Sequence, residues 1–245
     1  MLKTFVGGGS TGFTTSWKTD NAGVSSSVQI TVPTVSAGTY NCTVYWGDGN
    51  TSTITTYNDA AWTHTYSGAG TYTVNIVGTF TGMSFNAGGD RLKFLKIMNW
   101  GSFKFTNSGA VFSGCTNLTI TAVDVPNTGT VTVFANNFLN CTSIVTIPNL
   151  SQWNMRNMTS ISSMFSGCTS FNQDISAWNV GSVTNFATLF LSCTAYNKPL
   201  NSWNVSSGTN FASMFQSAIA FNQDLNSWDT SNATNLGLCF NSATA

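Results

Sequence analysis

Charge is what this chain of 245 residues has least of: 8 Lys and Arg stand against 8 Asp and Glu, 7% of all residues, for a formal net charge of zero. Globular chains usually carry about a quarter. So few cations form no basic patch, which excludes a nucleic-acid backbone as partner and a polybasic hold on a membrane surface. Long apolar runs are missing too. None reaches the ~18 residues that would span a bilayer as a helix, so no membrane insertion is expected. The opening "MLKTFVGGGSTGFTTSWKTD" lacks the apolar run of about 7–15 residues that a secretory signal needs. Histidine occurs once, as His64, so any Ser-His-Asp or Cys-His arrangement would have to use it. No nucleophile elbow or glycine-rich phosphate loop occurs.

Solubility therefore falls to Ser, Thr, Asn and Gly. Such a neutral, hydrogen-bonding surface is common on secreted, cell-surface and virion proteins. A surface-type composition without a leader points to assembly into a virus particle, or to a leader removed from the chain.

A repeat dominates the second half. Trp153, Trp178, Trp203 and Trp228 are spaced by 25, as are Phe165, Phe190, Phe215 and Phe240. Phe171, Tyr196 and Phe221 keep the same step, and so do Ile175, Leu200 and Leu225; Asn172, Asn197 and Asn222 form a polar column, and Thr159, Thr184, Thr209 and Thr234 another. Upstream the step loosens to 26 and 27 between Phe112, Phe138 and Phe165, and Pro126 holds the place of a Trp between Trp100 and Trp153. A fixed step with fixed apolar columns is a solenoid signature. Each coil buries its apolar side only against its copies, one strand spacing of ~4.8 Å away.

About six coils are expected from residue 82 to the end. The β-branched "LTITAVDVP" and "IVTIPNL" read as short strands, and "TNFASMF" and "TSISSMF" as brief helical or 3₁₀ turns. The chain stops just past Phe240 without a polar cap, so the last coil is expected to be covered by a partner or continued by further chain.

Before residue 82 the period is absent. "SVQITVP" and "YNCTVYWGDGN" alternate apolar and polar residues, Asp48-Gly49 suits a tight turn, and Tyr72, Val74 and Ile76 share one face. Several short strands between turns indicate a β-sandwich. The expected division is an N-terminal arm over 1–18, a sandwich over 19–81 and a solenoid over 82–245, mainly β throughout.

Two stretches carry a resemblance. Trp46, Gly47, Asp48 and Gly49, then His64, Thr65 and Tyr66, then Gly70, Thr71, Tyr72, Thr73 and Val74 resemble the turn and strands of the immunoglobulin-like PKD domain. "MFSGCTSFNQDISAWNV" and "MFQSAIAFNQDLNSWDTSNATNL" resemble the BspA-like leucine-rich-repeat surface proteins. "TTSWKTDNAGVSSSVQITVP" also resembles the lead-in to that combined architecture. Together these cover about residues 14–245. The resemblance implies adhesion or surface display without catalysis. It implies protein partners on a capsid, a tail or a host surface, and no cofactor.

The candidate site residues each have a plainer alternative. Six cysteines, Cys42, Cys115, Cys141, Cys168, Cys193 and Cys239, contain no C-x-x-C pair. They read as a buried column of free thiols rather than a metal site, the more so because Ala218 takes one place. Asp48 is a candidate calcium ligand or a turn former. Asp174 and Asp224, two coils and roughly 10 Å apart, are candidates for a glycoside-hydrolase pair. Trp153, Trp178, Trp203 and Trp228 are candidates for a glycan-binding stripe or for core. The expected function is non-enzymatic display or adhesion on a virion surface, as a decoration, fibre or host-attachment component. The alternatives are a bacterial cell-surface adhesin and a carbohydrate-binding or carbohydrate-active module.

Overall fold

The computed structural model describes residues 12–245. Eight strands form in it: β1 (Phe13–Lys18), β2 (Gln29–Thr31), β3 (Tyr40–Tyr45), β4 (Thr51–Ile54), β5 (Thr63–Thr65), β6 (Thr71–Phe80), β7 (Phe94–Asn99) and β8 (Thr119–Ile120). The protein is mainly β. Among the described residues the only helical pieces are the 3₁₀ turns Ala60–Trp62 and Leu150–Gln152.

Six strands form one sheet in the order β4-β3-β6-β1-β7-β8, and β2 pairs with β5 in a second. All pairs are antiparallel except β7–β8. Local chemistry explains the first hairpin. In β3, Tyr40, Cys42 and Val44 are buried while the residues between them are not, the alternation that a half-buried strand requires. The turn into β4 needs glycine. Gly47 has φ +87°, and a Cβ there would lie 2.4 Å from the Thr73 carbonyl oxygen.

β1 lies at the centre of the large sheet, pairing Phe13 with Ile76 on one side and Thr14 with Asn99 on the other. Of the arm expected over residues 1–18, residues 1–11 lie outside the described residues, and Phe13–Lys18 is this central strand. Because β7 lies past residue 81, the sheet runs across the expected boundary rather than closing into a sandwich before it. The core follows: Phe13 stacks on Phe80, Trp100 and Phe103.

A buried ionic cluster ties the same two regions. Asp90 and Lys93 are fully buried with their charges 4.0 Å apart. Asp90 accepts from the amides of Val24, Ser25 and Thr31 and from the Ser25 hydroxyl. The Lys93 ammonium donates to the carbonyls of Ser25, Ser26 and Gln29 and to the Ser25 hydroxyl. Burying two charges is tolerable only when each is paired and hydrogen-bonded this fully.

From residue 100 onward the repeated units, 25 to 27 residues long, stack, and their aromatic side chains form columns. Ring centroids are 5.8 Å apart for Phe138–Phe165, 6.2 Å for Phe165–Phe190, 5.6 Å for Phe190–Phe215 and 5.4 Å for Phe215–Phe240, with interplanar angles of 16° or less. Phe171, Tyr196 and Phe221 stack likewise. Where Pro126 interrupts the Trp column, Trp100 and Trp153 meet edge to face at 5.6 Å.

The backbone within each unit is not the expected strand plus helical turn. "IVTIPNL" forms no strand, and "LTITAVDVP" contributes only the two residues of β8. "TSISSMF" and "TNFASMF" form runs of turns, with Ser163 at φ +55° and Ser213 at φ +54°. The Met164 amide donates back to the Ile161 carbonyl and that of Cys168 to Phe165. Positive φ at the third residue of such a turn is the type II pattern, which stops any helix from propagating. It also turns alternate amides along the stack. Ile161, Ser163, Phe165 and Gly167 donate to the carbonyls of Asn185, Ala187, Leu189 and Leu191 in the next unit. A left-handed non-glycine residue costs about 1–2 kcal/mol, and the inter-unit hydrogen bonds and ring stacking hold it in place.

Candidate functional site

The residues with most chemical potential are few, and each is engaged. Asp48 sits in the β3–β4 turn. Its Oδ1 accepts from the Asn50 amide, while Oδ2 accepts from the Asn50 side chain and lies 2.8 Å from His64 Nε2. Partial burial pushes the Asp48 carboxyl up, but the His64 and Asn50 hydrogen bonds outweigh it and hold the group below the usual carboxylate range. Both oxygens are therefore committed to nitrogen partners where a calcium ion would need them. His64 is fixed in turn, stacked on Trp46 at 4.7 Å and edge-on to Tyr66. Tyr66 donates its hydroxyl proton to the Trp46 carbonyl. The dyad clamps the β3–β4 turn of the large sheet onto β5 of the small one.

Asp174 and Asp224 do the same job twice. Each accepts from the amide two residues on, Ser176 and Asn226 respectively, an Asx-turn in which a side chain substitutes for a backbone acceptor. The Ser176 hydrogen bonds lower the Asp174 pKa. The two carboxylates share no hydrogen bond, and the lowered Asp174 moves away from the range a general acid needs. Asn154, Asn179, Asn204 and Asp229 form a second Asx column, accepting from Arg156, Gly181, Ser206 and Ser231. What varies between the coils at these positions is therefore turn chemistry.

Trp153, Trp178 and Trp203 are buried, at 3%, 3% and 2% exposure, and offer no ring face to a glycan. Trp178 and Trp203 stack at 6.5 Å. Their indole N–H groups, and that of Trp228, donate to the carbonyls of Leu150, Ile175 and Leu200 in the preceding unit. Trp228, in the last full unit, is only partly buried.

All six cysteines are buried and unpaired. Burial raises the Cys115, Cys141 and Cys193 thiols well above their ordinary value, and pushes Cys168 up to about 12 and Cys42 and Cys239 up to about 11. A thiol held protonated is neither a nucleophile nor a ready metal ligand. Instead Cys141, Cys168 and Cys193 donate Sγ–H to the carbonyls of Phe112, Phe138 and Phe165 in the preceding unit. Ala218 keeps the volume and gives up that bond. Among the described residues no group of three or more His, Cys, Asp or Glu could hold a metal ion.

One feature escapes sequence reasoning, the Asp90–Lys93 cluster, whose only signal is that two of the scarce charges lie three residues apart. At the last unit, whose missing polar cap the sequence already marked, Leu225, Trp228, Leu236 and Phe240 rim an apolar hollow of about 240 Å³.

One family model matches the chain, over residues 132–245. It is described as "Mycoplasma protein of unknown function, DUF285". The match covers slightly less than half of the sequence and falls on the regular repeats. No curated protein and no solved structure matches. This corrects the resemblance read from sequence. The family that the repeats match is DUF285, and the units contain almost no helix, so the BspA-like leucine-rich-repeat assignment does not hold. Nor does the PKD assignment, since the N-terminal strands belong to a sheet completed by β7 and β8.

Proposed function

We propose that this chain is a non-enzymatic display or adhesion protein, carried on a virion surface, whose partners are proteins. The observation that carries the reading is how the reactive side chains are spent. Three thiols donate between coils, Asp174 and Asp224 hold turns, and Asp48 and His64 clamp two sheets. What faces solvent is a neutral lattice of short polar groups. Thr159, Thr184, Thr209 and Thr234 form one exposed column, and Asn172 and Asn222 are exposed in another. Such a surface is soluble without charge, and it meets partners through hydrogen bonds and shape rather than electrostatic steering.

The stack supports display in a second way. Its neighbouring units are joined by backbone ladders and aromatic columns, so length can be added unit by unit without new core design. The test is fractionation. Virus particles from the native source should carry this chain through density-gradient purification, detected by mass spectrometry. Recovery solely in the soluble fraction removes the virion assignment, and turnover of any polysaccharide by the purified chain removes the non-enzymatic one.

A further inference from the structure

One unit of the stack departs from the others, and it does so on a single side. In the regular units the indole N–H groups of Trp178, Trp203 and Trp228 reach the carbonyls of Leu150, Ile175 and Leu200, each three residues ahead of the preceding Trp place. Counted the same way from Pro126, the carbonyl due to Trp153 is that of Val123, and the Asn149 side-chain amide has taken it at 2.6 Å. The Trp153 indole is left without a partner, and so is that of Trp100. Of the five buried side-chain N or O atoms without a partner among the described residues, four lie here, the other two being Ser102 Oγ and Asn137 Nδ2. Val123 itself is 74% exposed, where Leu150, Ile175 and Leu200 are fully buried.

On this side, side chains also stand in for backbone acceptors. In the regular stack the Thr159 carbonyl accepts the amides of Thr184 and Asn185, and the Thr184 carbonyl those of Thr209 and Asn210. At the irregular unit the Thr132 and Val133 amides go to Asn107 Oδ1 instead, and those of Trp100 and Gly101 go to the Asp124 carboxylate. The opposite side is unbroken. Ala110, Phe112 and Gly114 donate to the carbonyls of Ala135, Asn137 and Leu139, and Phe134, Asn136 and Phe138 donate to Ser160, Ser162 and Met164. Along the same side Phe94, Phe112 and Phe138 stack at 5.7 and 5.6 Å.

We infer that the unit around Pro126 is a built-in joint. The regular stack pivots against the N-terminal sheet about the Phe112–Phe138 spine, and the Pro126 side opens and closes. An unmet buried donor is a standing cost that contact with water removes. Opening here hydrates the Trp100 and Trp153 indoles, whereas opening a regular junction breaks an indole bond already made. Pro126 brings neither an indole to close the column nor an N–H. Val123 is already outside, so parting the two sides uncovers little more of it. The bonds released are those to the Asp124 and Asn107 side chains, while the backbone bonds of the spine stay made. A few residues that absorb the change while packed layers hold on one side are what a hinge consists of.

Native-state hydrogen exchange on the full chain, over urea concentrations below the unfolding midpoint, tests the joint. The amides of Trp100, Gly101, Thr132 and Val133 should share one opening free energy and one urea dependence. They should open at least tenfold more often than those of Thr184, Asn185, Thr209 and Asn210, with Phe112, Gly114, Phe134 and Phe138 as protected as the regular stack. Asp124→Ala should speed exchange at Thr132 and Val133 at least tenfold, although their own acceptor is untouched. Asn107→Ala should do the same for Trp100 and Gly101, and it carries the test if the first variant does not fold. Three results overturn the joint: separate urea dependences for the two pairs, an effect confined to the pair whose acceptor is removed, or spine amides exchanging along with the rest. The joint does not depend on the display reading, so particle fractionation and this exchange measurement can each fail alone.

Discussion

The two halves of this protein hold themselves together by opposite means. The first hundred residues use long-range strand pairing, one deeply buried ion pair and a His–Asp contact. The rest uses almost no charge, little regular strand, and the same few contacts copied from one unit to the next. In the first half a single residue such as Lys93 has no substitute, because its ammonium serves four oxygen partners at once. In the second half each contact has neighbours of the same kind above and below, so damage is shared and position in the stack decides its cost.

Lys93→Met breaks the comparison most severely. It strands the buried Asp90 carboxylate, and removing one partner of a buried pair costs about 3–5 kcal/mol. Urea denaturation should show that loss, with the N-terminal tryptophans reporting it first. Phe190→Ala, in the middle of a column, should cost about 3–5 kcal/mol. The same change at Phe240, which has a neighbour on one side only and is half exposed, should cost about 1 kcal/mol or less. Equal losses at the two positions would show that the column does not act by stacking.

Acid sharpens the contrast next. The Asp48 pKa is lowered in the folded state, so its contribution is present above the ordinary carboxylate range of about 4. It is lost as pH falls through the folded value. The N-terminal half should weaken there, and Asp48→Asn should flatten that part of the stability profile. Smallest is Cys193→Ala. It copies the natural Ala218 and removes one thiol hydrogen bond, so a change of about 1 kcal/mol or less is expected, read as a shift in urea midpoint.

These contrasts track what was legible in the residues. Alternation marked β3 and β6, and the 25-residue step marked the columns through Phe165, Phe171 and Trp178, because both periods are written in side-chain size; the Phe186–Phe211 stack at 5.0 Å keeps the same step but was not singled out. β1 was not legible. "FTTSWK" follows a glycine-rich stretch, and its role depends on partners some 60 and 80 residues away. The units' backbone was not legible either. Serine and threonine at positive φ carry no residue-type signal, so "TNFASMF" read as a helical turn when inter-unit hydrogen bonding was the stronger term. At the candidate sites, composition marked Asp48, Asp174 and Asp224 as reactive, and local geometry spends each on a turn.

The central claim is that the stack is joined by a one-way amide ladder, each unit donating to the next, with the amides of Leu236, Leu238, Phe240 and Ser242 unpaired among the described residues. Native-state hydrogen exchange reads it amide by amide. The account predicts strong protection at Phe186, Thr188, Phe190, Ser192, Phe211, Ser213, Phe215 and Ser217, and rapid exchange at Leu236, Leu238, Phe240 and Ser242. Uniform protection across all twelve positions, or rapid exchange at the inner eight, would contradict it.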